Sequence, residues 1–208
     1  MKGLRLSFAL LIAGIGLHPG LRGQDSAAAP ATNMRVYQSL AASLCDSLAG
    51  LVPGGDSARI AVRVAPGDVA WFLQDAVERP FRTRHVAVAG NDSARYGMEF
   101  GAAGMNVHYA NLRRNGMFGS RVLDRMVVLR ASLRLVDRAR GTILMTGERS
   151  AEYSDTIELS QVETLEHAAV PATRGALPGE DFFSGIAEPL VIVGAVAVAI
   201  FLLFTVRS

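Results

Sequence analysis

The stretch Val127-Val-Leu-Arg-Ala-Ser-Leu-Arg-Leu-Val-Asp-Arg-Ala-Arg-Gly-Thr-Ile-Leu-Met-Thr146 decides the fold of this chain. Its first half alternates between leucine or alanine and polar side chains. Because successive side chains of a strand point to opposite faces of a sheet, this alternation predicts a strand over residues 125–136 with one apolar face. Residues 137–141 then predict a turn, and residues 142–148 predict an antiparallel return strand.

The residues before this hairpin alternate in the same way or show the period of a helix. Asn33 is placed to cap the first helix, Pro80 should end the second, and Gly101–Gly104 predicts a bulge in the third strand. The predicted elements are helices over 33–49 and 69–79 and strands over 59–64, 85–89 and 96–112. We therefore predict an α+β fold, an α/β two-layer sandwich whose mixed sheet has a long antiparallel meander and two helices on one face.

The C-terminal region contains an apolar run from Leu190 to Val206 without a charged side chain. As a helix it would measure about 26 Å, close to the thickness of the hydrocarbon core of a bilayer. We predict a transmembrane helix over 189–206, with Leu190, Phe201 and Phe204 as membrane-anchor residues and residues 207–208 as a cytoplasmic end. The alternative is a buried core helix, which a chain with so small a core accommodates poorly.

The N-terminal region resembles an export signal. Lys2 and Arg5 precede an apolar stretch over residues 6–17, which is too short to span a bilayer but suits a signal peptide. We predict a signal peptide and short linker over 1–29, with an uncleaved first span as the alternative. Both place the domain over 30–160 and an acidic, Pro/Gly-containing tether over 161–188 outside the cytoplasm. The expected location is the cell membrane, single-pass, with the main domain periplasmic or extracytoplasmic.

The charges of the chain are segregated although its net charge is only +2. Residues 79–140 are rich in arginine, and residues 148–188 are rich in glutamate and aspartate. One interpretation is a solvated surface whose two halves neutralise each other. The other is a face that binds an acidic partner, and its candidate residues are Arg113, Arg114, Arg130 and Arg134. Nucleic acid is not expected outside the cytoplasm, and no aromatic-plus-basic stacking pattern is found.

The sequence offers no recognisable catalytic or metal-binding pattern. Outside the predicted signal peptide the histidines His85, His108 and His167 stand alone, without the spacing of paired metal ligands. Cys45 is the only cysteine, so an intramolecular disulfide is impossible, and its neighbours predict a buried small side chain rather than a reactive thiol. We expect no catalytic, cofactor-binding or metal-binding residues and no cofactor.

The predicted elements and the hairpin, above all Leu133-Arg-Leu-Val-Asp137 followed by Gly141-Thr-Ile-Leu144, resemble a recurring bacterial envelope domain. It is similar to the periplasmic domains of the curli-secretion, flagellar-accessory and penicillin-binding-protein-activator lipoproteins, over roughly residues 35–155. The resemblance implies a non-catalytic scaffold or regulator of envelope assembly. Those lipoproteins attach through a lipidated cysteine just after the signal peptide, whereas this chain has a predicted C-terminal membrane helix instead.

Three functional hypotheses follow. The first is a membrane-anchored, non-catalytic extracytoplasmic binding or assembly module, whose partners are the lipid bilayer and an envelope protein. The second is a hydrolase of envelope polymers that uses His108 or a pair of carboxylates. The third is a small membrane-complex subunit whose apolar helix packs through Gly194, Ala195 and Ala197. A homo-oligomer is left open in each.

Overall fold

The computed structural model describes residues 29–53, 58–90, 93–116, 119–179, 191–200 and 202. Two main helices and five strands follow one another as α1 (Asn33–Ala49), β1 (Arg59–Val64), α2 (Ala70–Thr83), β2 (Ala87–Ala89), β3 (Tyr96–Arg114), β4 (Arg121–Asp137) and β5 (Thr142–Glu158). The strands form one sheet in the order β2-β1-β3-β4-β5. β1 is parallel to β2 and β3, whereas β3, β4 and β5 form an antiparallel meander. The predicted α+β fold with a mixed sheet is confirmed.

The core lies between the two helices and one face of the sheet, which we call the inner face. On β4 the inner face carries the odd-numbered residues from Leu123 to Asp137, all of them buried. The even-numbered residues form the opposite, outer face and are exposed or half-buried. Leu73 and Phe81 of α2 and Tyr37 of α1 are buried above the inner face. The alternation in the sequence therefore separates a covered face from a face that meets solvent.

The meander is longer than the sequence predicts. β3 shifts register between Ala102 and Gly104, which confirms the predicted bulge. β5 extends ten residues beyond the predicted end at residue 148, to Glu158. Its second half was not predicted because it is an outermost strand of the sheet: most of its side chains are exposed, so no alternation of apolar and polar residues marks it.

Both main helices differ from the prediction at one end. Thr32, not Asn33, caps α1, since its hydroxyl accepts the backbone N–H of Arg35 at 3.3 Å. The predicted stop of α2 at Pro80 was wrong, because the helix continues to Thr83. A proline within a helix loses one backbone hydrogen bond, and the burial of both Pro80 and Phe81 in the core offsets that loss.

The acidic segment that follows β5 packs onto the domain instead of leaving it as a tether at residue 161. It forms the short elements Leu159–Gln161, Val162–Leu165 and Pro171–Thr173. Val162, Leu165 and Val170 are buried in the core, while acidic residues such as Glu163 point to solvent. Buried apolar side chains thus help to hold a segment whose overall composition is that of a linker.

The predicted membrane segments lie largely outside the described residues. This holds for residues 1–28 of the signal peptide and linker and for the anchor residues Leu190, Phe201 and Phe204. Residues 191–200 are helical. Among the residues that the structure describes, no helix combines the length and the hydropathy that a bilayer span requires. The transmembrane helix over 189–206 stays a prediction.

Candidate functional site

Two of the predicted partner-face residues, Arg130 and Arg134, lie exposed on the outer face of β4. The strand register places Arg134 opposite Glu99 of β3, and Glu99 opposite Arg63 of β1. The guanidinium of Arg134 lies 3.6 Å from the carboxylate of Glu99, and the two side chains are 50% and 60% exposed. An exposed pair of this kind contributes at most about 1 kcal/mol, so its charges remain accessible to a partner. We call Arg63, Glu99 and Arg134 the outer-face row.

Glycines of β3 let two arginines, one in β4 and one just after it, lie close to the sheet. A Cβ atom at Gly104 would lie 3.4 Å from Nε of Arg130, and one at Gly97 would lie 2.8 Å from Nε of Arg138. The guanidinium groups therefore occupy the space that larger side chains of β3 would fill. The outer face consequently presents planar cationic groups packed against the glycine backbone of β3, an arrangement suited to carboxylate recognition.

A shallow depression of about 550 Å³ lies beside the outer-face row. Gly101 and Ser132 form part of its lining, and a Cβ atom at Gly101 would lie 2.6 Å from Oγ of Ser132. Arg63, Arg134 and Glu148 also line it. The small residues leave room for a short side chain or an extended backbone of a partner, between charges of both signs.

The structure does not bring the other two predicted residues to this place. Arg113 lies near the far end of β3, where it contacts Asp124 at 2.9 Å and donates to the backbone oxygen of Asn111. The neighbouring Arg114 is exposed and lies opposite Arg121 in the sheet. Arg121 is thirteen residues from Arg134 on β4, or about 43 Å along a strand. The four arginines therefore form two separate groups.

A fifth arginine, which we did not select from the sequence, is fully buried on the inner face. Arg125 donates from Nε and Nη2 to the two carboxylate oxygens of Asp155, at 2.8 and 2.6 Å. Its Nη1 donates to the backbone oxygen of Ala31 at 2.8 Å and to Oδ1 of Asn33 at 2.7 Å. The ring of Tyr153 lies 5.8 Å from the guanidinium carbon. All the donated bonds go to negative or partly negative oxygens, as a buried cation requires.

Asn33 links this arginine to the segment that follows β5. Its Nδ2 donates to the hydroxyl of Tyr109 at 3.0 Å and to the backbone oxygen of Thr173 at 2.8 Å. We call Arg125, Asp155, Asn33, Tyr109 and Thr173 the terminal clamp, because it joins the first and the last parts of the packed domain. Both ends of the domain are thus fixed to the same region of the sheet.

Burial raises the pKa of the phenols around the clamp, which are protonated at neutral pH even in water. It raises the pKa of Tyr109, whose hydroxyl accepts from Asn33, and nearby Glu166 raises it further. Burial, and then the proximity of Tyr109, raises the pKa of Tyr37, which donates to the backbone oxygen of Ala172 at 3.0 Å. Burial and Asp155 raise the pKa of Tyr153. At neutral pH these hydroxyls are therefore available as hydrogen-bond donors.

Within the part of the chain that the structure describes, the titratable residues outside the clamp show no arrangement that points to a reaction. His108 is exposed on the outer face, opposite Met126, and lines neither of the two cavities described here. The larger cavity, of about 920 Å³, lies between α2 and β2 and contains Glu78, whose two oxygens accept from Gln74 and Arg82. In the described ranges no group of three or more His, Cys, Asp or Glu residues could hold a metal ion.

Cys45 is fully buried in α1. Burial raises the pKa of its thiol to about 12, so the thiol is protonated and unreactive at neutral pH. The prediction of a buried small side chain at this position is confirmed.

No protein-family model matches this chain, and no curated protein sequence matches it. Similar solved structures include a minor lipoprotein from Acinetobacter baumannii, with 11% identity, a TM-score of 0.30 and coverage of 51% of this chain and 69% of that one. Uncharacterized lipoprotein B from Nitrosomonas europaea has 13% identity and a TM-score of 0.33, with coverage of 55% and 73%. Lipoprotein GNA1162 from Neisseria meningitidis has 12% identity and a TM-score of 0.34, with coverage of 66% and 98%. These values assign neither a family nor an activity.

Proposed function

We propose that this chain is a membrane-anchored extracytoplasmic binding or assembly module of the bacterial envelope, and that it is not an enzyme. The observation that carries the proposal is the outer face: the outer-face row lies beside a depression lined with small residues, and in the described part of the chain both main helices cover the opposite face. A face of this composition fits an acidic segment of a protein partner, whose carboxylates would meet arginine guanidinium groups.

The terminal clamp supports the same proposal. It fixes residues next to the predicted signal peptide and residues that lead toward the predicted membrane helix to one region of the sheet, through Ala31 and Thr173. An anchored domain held in this way presents its outer face in a defined orientation. A hydrolase would instead need a pocket that holds an acid and a base, and His108 is on open surface.

The experiment is co-purification from native membranes after crosslinking, with partners identified by mass spectrometry. The test variant of the full chain is R130E/R134E, and its matched control is R113E/R114E, which makes the same change of charge at the other end of β3. We expect the test variant to lose an acidic envelope protein at least tenfold while the control keeps it. Unchanged capture by the test variant, with its thermal unfolding also unchanged, would refute this docking face.

The third hypothesis, a small membrane-complex subunit that acts through its apolar helix, remains an alternative because it makes a distinct prediction. If the apolar helix is the functional part, replacing residues 190–206 by a polyleucine span should abolish capture. A docking function of the outer face requires only that the domain stay anchored, so polyleucine should then preserve capture.

A further inference from the structure

β5 is the longer of the two edge strands of the described sheet. This strand pairs with β4 along one side, and in the described part of the chain no strand pairs with its other side. From Met145 to Glu158 the pairing with β4 has no register shift, although Gly147 has a φ of 146°. An edge strand is a template for another strand unless charge, proline or a bulge prevents pairing. Residues 145–158 contain no proline, and their charged residues carry both signs, so the register decides whether charge opposes pairing.

We propose that this edge pairs with β5 of a second copy of the chain, in an antiparallel arrangement about a twofold axis that passes through Ala151. Strand addition of this kind would join the two sheets into one and satisfy the backbone N–H and C=O groups of both edges. The symmetry places each residue of one copy opposite a defined residue of the other. Different positions of the axis can therefore be compared by the side-chain pairs that they produce.

Among the axes through the centre of β5, residues 148 to 153, the charges favour this register. An axis through Ser150 would place Glu148 opposite Glu152 of the second copy, and an axis through Tyr153 would place Glu148 opposite Glu158. Axes through Glu148, Arg149 or Glu152 would place each of these charges opposite itself. Like charges directly opposite each other destabilise a strand pair. Of the axes through residues 148 to 153, only the one through Ala151 avoids them.

The register about Ala151 also makes favourable pairs on both faces. On the side of the inner face, Arg149 lies opposite the ring of Tyr153. On the outer face, Glu148 lies opposite Ser154, Ser150 lies opposite Glu152, and Thr146 lies opposite Thr156. Cation–π, hydroxyl–hydroxyl and hydroxyl–carboxylate pairs are among the kinds that stabilise adjacent strands. Because the axis is twofold, each pair occurs twice, which makes the edge complementary to itself.

Cysteine crosslinking of the full chain in its membrane tests the axis. A Cα–Cα distance of about 4.5–5.5 Å between opposite residues allows a disulfide, so A151C should give a covalent dimer under mild oxidation. S150C is the matched control: its closest copy lies diagonally, about 8 Å away, beyond the reach of a disulfide. Cys45 stays in both variants because its thiol is buried. T146C/T156C should crosslink, whereas T146C alone should not.

A charge swap at Ser150 separates pairing from folding. Within one copy Ser150 lies opposite Arg130, whereas across the axis it lies opposite Glu152. S150E should therefore stabilise the domain but weaken the dimer about two- to thirtyfold, since it adds two glutamate pairs per dimer. S150R should have the opposite effect on both. Dimer dissociation is measured by sedimentation of the full chain in detergent, and stability by thermal unfolding.

Three results would overturn the proposal. One is a chain that is monomeric at micromolar concentration in detergent and shows no crosslinking of A151C in the membrane. Another is a dimer in which S150C crosslinks as well as A151C. The last is a dimer indifferent to the charge at Ser150, which would mean that another part of the chain, such as the apolar helix, holds the copies together.

Discussion

Replacing Arg125 by methionine should destabilise the domain by about 3 kcal/mol, the lower end of the 3–5 kcal/mol expected when one partner of a buried ion pair is removed. The arginine is fully buried and donates two hydrogen bonds to Asp155, one to Ala31 and one to Asn33. Methionine fills much of the same volume, so the cost comes from the acceptors left without a donor. Since the side chain of Asp155 is 20% exposed, water compensates part of that cost.

The destabilisation in R125M should first appear as local unfolding at the two ends of the domain. Arg125 reaches the start of the domain directly and its end through Asn33 and Thr173. In R125M, amide hydrogen exchange should therefore rise first in residues 29–36 and 166–175, while the centre of β4 stays protected. A domain with an ordinary free energy of unfolding, about 5–15 kcal/mol, remains folded after a loss of about 3 kcal/mol.

A double-mutant cycle with D155A measures the coupling free energy between Arg125 and Asp155. D155A alone leaves the cation of Arg125 buried without its carboxylate, so it should cost about as much as R125M. R125M/D155A should cost clearly less than the sum of the two single variants, as determined by urea unfolding. Additive losses, or a loss below about 1 kcal/mol in R125M, would show that the clamp does not hold the ends of the domain.

Three further predictions concern other contacts. G175A should destabilise the domain by about 1–3 kcal/mol in urea unfolding, because its Cβ would lie 2.7 Å from a backbone oxygen of β3, whereas G179A, with open space around its Cβ, should be neutral. Arg95 lowers the pKa of the Asp137 carboxyl below its ordinary value of 3.8, so this carboxylate adds stability that is lost as the pH falls below about 4. In an acid titration, the D137N variant should lose less stability than the unchanged protein over this pH range, and identical curves for the two would contradict this. Cys45 should react with a maleimide at pH 7 only after denaturation, and rapid labelling of the native protein would contradict its burial.

The sequence was sufficient for the elements whose burial repeats with a regular period. The inner and outer faces of β4 follow from its alternation, and the bulge of β3 follows from Gly101–Gly104. The same alternation contained the signal for the buried arginine, because Arg125 is in phase with Val127 and Leu129, and both of these are buried on the inner face. The arginine-rich composition of residues 79–140 does not by itself show that phase. An arginine in the apolar phase of a strand predicts a buried ion pair.

The parts that the sequence did not reveal depend on partners distant along the chain. Asn33 has the residue type of a helix cap, yet its amide bonds to Tyr109 and Thr173, so only the folded chain explains its position. The segment after β5 has the composition of a linker, and it is ordered because Val162 and Leu165 find an uncovered part of the core. Neither contact follows from local propensity or periodicity.

The terminal clamp and the outer-face row lie at different places along β4, so the fixed ends of the domain are apart from the proposed docking face. Arg134 is nine residues beyond Arg125 on β4, about 30 Å along the strand, and it points to the opposite face of the sheet. A partner seated at Arg134 would therefore not contact the place where both ends of the domain are fixed. Contacts at one site can change without disturbing hydrogen bonds at the other, because the two sites are about 30 Å apart and share no hydrogen-bond partner. If the anchored orientation is what makes the outer face available, loosening the clamp should weaken capture in the membrane while leaving the affinity of the detergent-solubilised domain for the same partner unchanged.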